Sequence, residues 1–272
     1  MLSMLTNIFE YDFLAYAFIA CILSGVTCGI VGSYVVARRI VFLSGGITHA
    51  SFGGLGIALY AGVSPTLGAL CFASLASLGI EFSSRRGRMR EDSAIGIIWA
   101  IGMATGALFM SLRPGYATDL TSYLFGNILL VNGRDVVWLT LLTVAIVVGA
   151  VVWLRKIMYV TFDESYAKSQ GVNAEWVAYA MAVVIAVTIV LSIKVMGIIL
   201  LLSLLTMPTV IVNTFTKDYR RIALYSAIVA VVGNVAGFVV SYEYDLPTGS
   251  CIIFILAALL VAIKLLTLRG NR

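Results

Sequence analysis

Long apolar runs, separated by short clusters of charged and turn-forming residues, organise the chain from residue 13 to residue 268. The runs lie at 13–36, 40–62, 64–82, 93–112, 135–154, 176–193, 197–215, 222–241 and 250–268. Each approaches the roughly 20 residues that an α-helix needs to cross the hydrocarbon core of a bilayer. The breaks fall at Arg38-Arg39, 83–92, 155–175, 216–221 and 243–247, where charges and turn formers gather. Lipid offers no partner to a backbone N–H or C=O, so every run is predicted to be a helix. The expected fold is all-α: a polytopic transmembrane helix bundle of about nine spans, or eight. The segment 119–131 is apolar but too short to span, and is predicted to be a short re-entrant or interfacial helix.

Composition makes a soluble fold untenable. Of 272 residues, 61% are hydrophobic and only 11% charged, too few charges to cover a water-facing surface. The longest inner connection, 155–175, is too short to fold alone, so residues 1–272 are read as a single transmembrane domain. The four cysteines, Cys21, Cys28, Cys71 and Cys251, sit in apolar runs without a CxxC spacing. They are read as packing residues rather than metal ligands or disulfides. Residues 1–12 lack a basic leader and bring Glu10 and Asp12, so the first span is expected to persist in the mature protein.

Charge then orients the bundle. With nine spans, one side collects Arg38, Arg39, Arg85, Arg86, Arg88, Arg90, Arg155, Lys156, Lys168, Lys217, Arg220, Arg221, Lys264, Arg269 and Arg272. The other side holds only Arg113, Arg134 and Lys194, a split of fifteen against three among the 18 basic residues. The positive-inside rule makes the rich side cytoplasmic, the N-terminus external and the C-terminus cytoplasmic. The net charge of +5 is thereby read as an orientation signal, and nucleic-acid binding is set aside.

Few residues are suited to chemistry. His49 is the single histidine and lies mid-span. An ionisable side chain at that depth faces a bundle interior or a watery path, and imidazole is a ligand for zinc and its transition-metal neighbours. A neutral histidine bonded to a backbone carbonyl is the plainer reading, and sequence position leaves both open. Asp119 opens the short apolar segment, where it serves as a helix N-cap or draws cations to an outer mouth. The stretch 163–172 reads as a short amphipathic helix ended by Gly171, either a docking element or an ordinary loop helix. Gly53, Gly54 and Gly56, with other glycines at helical spacing, are read first as helix-packing positions. There is no GxxxxGK[ST] phosphate loop and no HExxH pair, so neither ATP hydrolysis by that loop nor a zinc protease site is indicated.

Six stretches in order resemble the permease subunits of ABC-type uptake systems for zinc, manganese and iron. They are Gly32-Ser33-Tyr34-Val35-Val36-Ala37-Arg38-Arg39; Thr48-His49-Ala50 with Gly53-Gly54-Leu55-Gly56; Asp119-Leu120-Thr121-Ser122-Tyr123-Leu124-Phe125-Gly126; residues 164–171; residues 197–208; and Asp245-Leu246-Pro247-Thr248-Gly249. The resemblance implies a plasma-membrane permease of a bacterium or archaeon. It would carry a divalent metal ion along a path between two permease copies, a homodimer or close heterodimer. It implies separate cytoplasmic ATP-binding subunits, which alone use ATP, and an extracytoplasmic metal-binding protein; no permanent cofactor is implied. His49 matches the family's path histidine. Asp163, Glu164, Ala167 and Gly171 fall in its ATPase-coupling helix, and Pro208 joins the three glycines as a packing or gating position. One departure stands out: many relatives place an aspartate four residues before the histidine, and here that residue is Gly45. The competing readings are a secondary transporter or channel with no ATPase, and an ABC permease for a chelated metal. The identity of the metal is open, since zinc suits imidazole while manganese and ferrous iron accept mixed ligands.

Overall fold

The computed structural model describes residues 11–87, 89–112, 128 and 131–270, with side chains described as far as Thr267. Ten α-helices occur among these residues, and no strand. In chain order they are α1 (Asp12–Ala37), α2 (Val41–Ala61), α3 (Pro65–Arg85), α4 (Glu91–Ser111), α5 (Gly133–Phe162), α6 (Glu164–Ser169), α7 (Ala174–Met196), α8 (Ile198–Val212), α9 (Tyr219–Tyr244) and α10 (Thr248–Gly270). All but α6 and α8 are long and apolar enough to cross a membrane, so the all-α polytopic bundle expected from the sequence is what forms.

Two runs differ in length from expectation. The helix α5 does not stop near residue 154 but continues through Arg155 and Lys156 to Phe162. Both side chains are good helix formers, and their charges mark only where the helix leaves lipid. The run at 197–215 becomes the 15-residue α8, about 22 Å long against a hydrocarbon core of about 30 Å. Most of α8 is buried in protein, so it need not match the lipid thickness. It is set off from α7 by one residue, Gly197, at φ 75° and ψ 168°, a conformation open in practice only to glycine.

The chain forms two compact units. The first comprises Met1–Arg39, Thr121–Leu154 and Ser192–Arg272. Within it α1 packs against α8 and α9, and small residues permit the approach. A Cβ on Gly25 would lie 2.9 Å from the Val231 backbone, one on Gly29 would strike Ala227, and one on Gly32 would strike the Leu205 carbonyl. Polar side chains add directional bonds, as they do between helices in lipid: Asn234 Nδ2 donates to the Cys21 carbonyl (2.8 Å), and Thr27 and Thr143 share a hydrogen bond of 2.9 Å. Lys194 Nζ donates to Asp135 Oδ1 at 2.6 Å. Cys21, Cys28 and Cys251 are buried as packing residues, whereas Cys71, in the other unit, is exposed.

The second unit comprises Ile40–Leu120 and Arg155–Leu191. Its centre is the packing of α2 on α3 and α4. A Cβ on Gly102 would lie 2.5 Å from Ala50 Cα, one on Gly56 2.7 Å from the Gly106 carbonyl, and one on Gly53 3.0 Å from the Gly102 carbonyl. One on Gly54 would strike the Gly68 carbonyl. Gly53, Gly54 and Gly56 are therefore positions of backbone-to-backbone contact. Glu81, near the end of α3, is buried and paired with Arg85 one turn on.

Candidate translocation and coupling sites

Close packing of α2 on α4 positions His49. Because Gly102 lacks a side chain, α4 lies against Ala50 at backbone distance. One turn earlier on α4, the Trp99 indole covers the His49 imidazole, with ring centroids 4.3 Å apart and planes 5° from parallel. His49 is half-buried, and Trp99 is 38% exposed. Among the described residues its Nδ1 is buried without a hydrogen-bond partner, so none of them fixes the ring through that nitrogen. One turn before it, an ideal Cβ at Gly45 meets nothing within 4 Å. That turn is thus uncharged, with open space among the described residues where a side chain would stand. Among the described residues, no three His, Cys, Asp or Glu side chains come together as a metal cage. Asp119 lies outside the described residues. Pro208 is buried within α8, where its missing N–H leaves the Leu204 carbonyl without its helical partner.

The expected short helix at 163–172 is present as α6. Asp163 is its N-cap, with Oδ1 accepting from the N–H groups of Ser165 (2.9 Å) and Tyr166 (3.0 Å). Its far end closes when the Val172 N–H donates to the Ala167 carbonyl (3.0 Å), with Gly171 at φ +71°. That pairing needs a left-handed residue, which glycine supplies at least cost. Ala167 is fully buried and packs with Val160, Ala174 and Val177, while Tyr166 meets Tyr159 edge-on at 5.2 Å. Val160 and Tyr159 belong to the extension of α5 that the sequence did not reveal, so that extension is the shelf on which α6 rests.

The same helix is tied to the end of α3. Arg85 Nη1 donates to Glu164 Oε2 (3.0 Å) and Nη2 to Glu164 Oε1 (2.7 Å), while Arg85 Nε bonds Glu81. Beside it Arg86 Nη2 donates to Glu175 Oε1 at 2.8 Å. A groove of about 550 Å³ opens here, lined by Arg85, Arg86, Lys168, Gly171, Asn173 and Glu175 among others.

A bundle with one mid-span histidine and a capped, anchored interhelical helix has the features of the expected family, and comparison decides the matter. The sequence model of the ABC 3 transport family matches residues 10–267. The chain belongs to that family. It is similar, at 35% identity over 93% of this chain and 90% of the other, to a "Probable metal transport system membrane protein" of Thermotoga maritima. A protein of the same description from Chlamydia muridarum is 34% identical over 99% of this chain and 94% of its own. In fold it is similar to a chain of PsaBC from Streptococcus pneumoniae, solved in complex with Fab, with a TM-score of 0.85, 24% identity, and coverage of 97% and 95% of the two chains.

In this ABC 3 family member, two residues at the sites escaped the sequence reading. Trp99 looked like one more apolar residue of a span, because stacking across helices has no local signature. Arg85 was counted only as a cytoplasmic charge. Its i, i+4 relation to Glu81 was the available signal, and its bond to Glu164, 79 positions on, was not.

Proposed function

We propose that this chain is the transmembrane permease subunit of an ATP-driven importer of divalent transition-metal ions. The observation behind this reading is the bidentate Arg85–Glu164 pair. It joins a six-residue helix between spans, α6, to the end of the spanning helix α3, as a lever needs. ATP-binding subunits docking in the groove beside α6 would pull on Asp163, Glu164, Ala167 and Gly171 and so shift α3. Since α3 packs on α2, the motion reaches His49. Ions would pass His49 along a path completed by a second permease copy, delivered by an extracytoplasmic binding protein.

The family match and the metal-transport descriptions of its relatives support the cargo class. A divalent ion bare in hydrocarbon is prohibitively costly, and a single half-buried imidazole with open space beside it is the loose contact that a departing ion requires. The membrane would be a bacterial or archaeal plasma membrane, with the N-terminus outside and α6 cytoplasmic. This topology gains support from the ion pairs. Arg85 and Arg86, assigned to one side, pair with Glu164 and Glu175 of the inner connection, and Lys194, assigned to the other, pairs with Asp135.

The test is elemental analysis of cells with and without the chain, together with reconstitution in vesicles. Uptake of one or more of manganese, zinc and iron is expected to need the chain, its ATPase and ATP. Uptake by the purified chain alone, without nucleotide, would overturn the importer reading in favour of a self-sufficient transporter.

A further inference from the structure

A metal-binding histidine is ordinarily held in place through its second nitrogen, which donates to a carboxylate, carbonyl or water and so fixes the plane of the ring. Among the described residues, none gives His49 that device: its Nδ1 is buried with no hydrogen-bond partner there, and the neighbouring turn at Gly45 offers no side chain. The Trp99 indole stacks on the ring, with centroids 4.3 Å apart and planes within 5° of parallel.

Resting on the importer reading, we infer that Trp99 is the positioning residue for His49, fixing the imidazole plane by stacking where other sites use a hydrogen bond. Two physical consequences follow from the geometry. The stack restrains rotation about the ring torsion, so the nitrogen lone pairs are held in one plane before an ion arrives. It also favours the loaded state: an imidazole bearing a metal ion acquires positive charge, and the face of an indole is the best aromatic surface for a cation. The contact therefore strengthens as the ion binds, and its loss should weaken ion capture more than the later conformational step.

Backbone packing sets up this stack. Gly102 and Ala50 meet at backbone distance, and a Cβ on Gly46 would lie 2.5 Å from Ile95 Cγ2. The crossing of α2 and α4 is thereby fixed on both sides of the ring pair. Trp99 is itself partly exposed.

The test combines uptake kinetics in cells expressing the full transporter with spectroscopy on the purified permease. Manganese(II), zinc(II) and iron(II) are each supplied alone to Trp99→Leu, Trp99→Phe and His49→Ala. Trp99→Leu is expected to raise KM by about three- to tenfold with the maximal rate held, the range that an aromatic contact is worth. Trp99→Phe, which keeps a ring, should stay within about twofold. The chain has only one histidine, so histidine-labelled protein gives the NMR signals of a single imidazole ring. They should show an upfield ring-current shift that survives in Trp99→Phe and disappears in Trp99→Leu. A normal KM in Trp99→Leu, beside an inactive His49→Ala, would overturn this inference and leave the importer reading intact. Equal losses in the two Trp99 variants would also overturn it, reducing Trp99 to a shape-filling residue. So would an imidazole signal unmoved in Trp99→Leu. Normal uptake by His49→Ala would remove His49 from the path and the inference with it.

Discussion

Arg85 grips both carboxylate oxygens of Glu164 while its Nε bonds Glu81 within its own helix. One guanidinium thus joins α3 to α6, with the fork geometry that makes arginine rather than lysine the residue for such a junction. The side chains are only partly exposed, Arg85 at 18% and Glu164 at 33%, so water screens this pair less than a surface pair.

Breaking the junction should separate ATP hydrolysis from transport. Glu164→Gln keeps the shape but loses the charge, and is expected to reduce uptake several-fold while the ATPase partner still binds and hydrolyses ATP. Arg85→Ala is the harsher change, because it leaves the buried Glu81 without its partner, at a cost of about 1–3 kcal/mol. Arg85→Lys should rescue folding but not coupling, since an ammonium cannot engage two oxygens in the same plane. ATPase and uptake rates measured side by side decide this. Full uptake in Glu164→Gln would show that the pair is structural only.

The ends of α6 make a second prediction. A helix of six residues has little cohesion of its own, so it depends on the Asp163 cap, the Gly171 turn and the buried Ala167. Asp163→Ala should destabilise it by about 0.5–2 kcal/mol, and Gly171→Ala by about 1 kcal/mol through the positive φ. Neither residue lies in a span, so membrane insertion should be normal. Co-purification of the ATPase subunit is the readout. Retention of the partner at wild-type yield in both variants would separate α6 from docking.

These sites were unequally legible in the sequence. His49 and the 163–172 helix could be found because their signals are local: one ionisable group at depth, and a cap followed at fixed spacing by glycine. The apolar run at 135–154 marks the span but not the full length of α5, because Arg155 and Lys156 end a lipid-facing run without ending a helix. The boundary between the runs ending at 193 and beginning at 197 falls beside Gly197, yet nothing local shows that α8 is short, since burial by protein rather than by lipid sets its length. The stacking of Trp99 and the grip of Arg85 depend on helix crossings, which in turn depend on glycines whose partners lie on other helices.

Those glycines supply a contrast within one pair of helices. At Gly102 an added Cβ would sit 2.5 Å from Ala50 Cα, where only backbone can give way; at Gly96 it would meet nothing within 4 Å. Gly102→Val is therefore expected to lower stability by about 1–3 kcal/mol or more through overpacking, and to disturb the His49–Trp99 stack. Gly96→Ala should be neutral or slightly stabilising through helix propensity. Thermal unfolding of both variants in detergent measures the difference, and equal behaviour would contradict the close crossing of α2 and α4.

The final prediction concerns what Gly45 withholds. Residues four apart on a helix share a face, so a carboxylate at 45 would stand beside the His49 imidazole. The open space around an added Cβ means that Gly45→Asp should fold. A lone carboxylate at membrane depth is costly, but here a path able to admit water and a passing cation would offset that cost. Mixed nitrogen and oxygen ligation favours manganese and ferrous iron over an imidazole-only contact, which suits zinc. Gly45→Asp is thus expected to lower KM for manganese(II) and iron(II) relative to zinc(II), and to slow release, because an ion held by two ligands leaves less readily than one held by a single ring. Competition uptake with paired metals reads both effects. If His49 lines the path, combining Gly45→Asp with His49→Ala should restore part of the manganese uptake lost in the single His49→Ala variant, but little of the zinc. An unchanged metal preference in Gly45→Asp, with normal amounts of folded protein, would show that this face of α2 does not meet the ion.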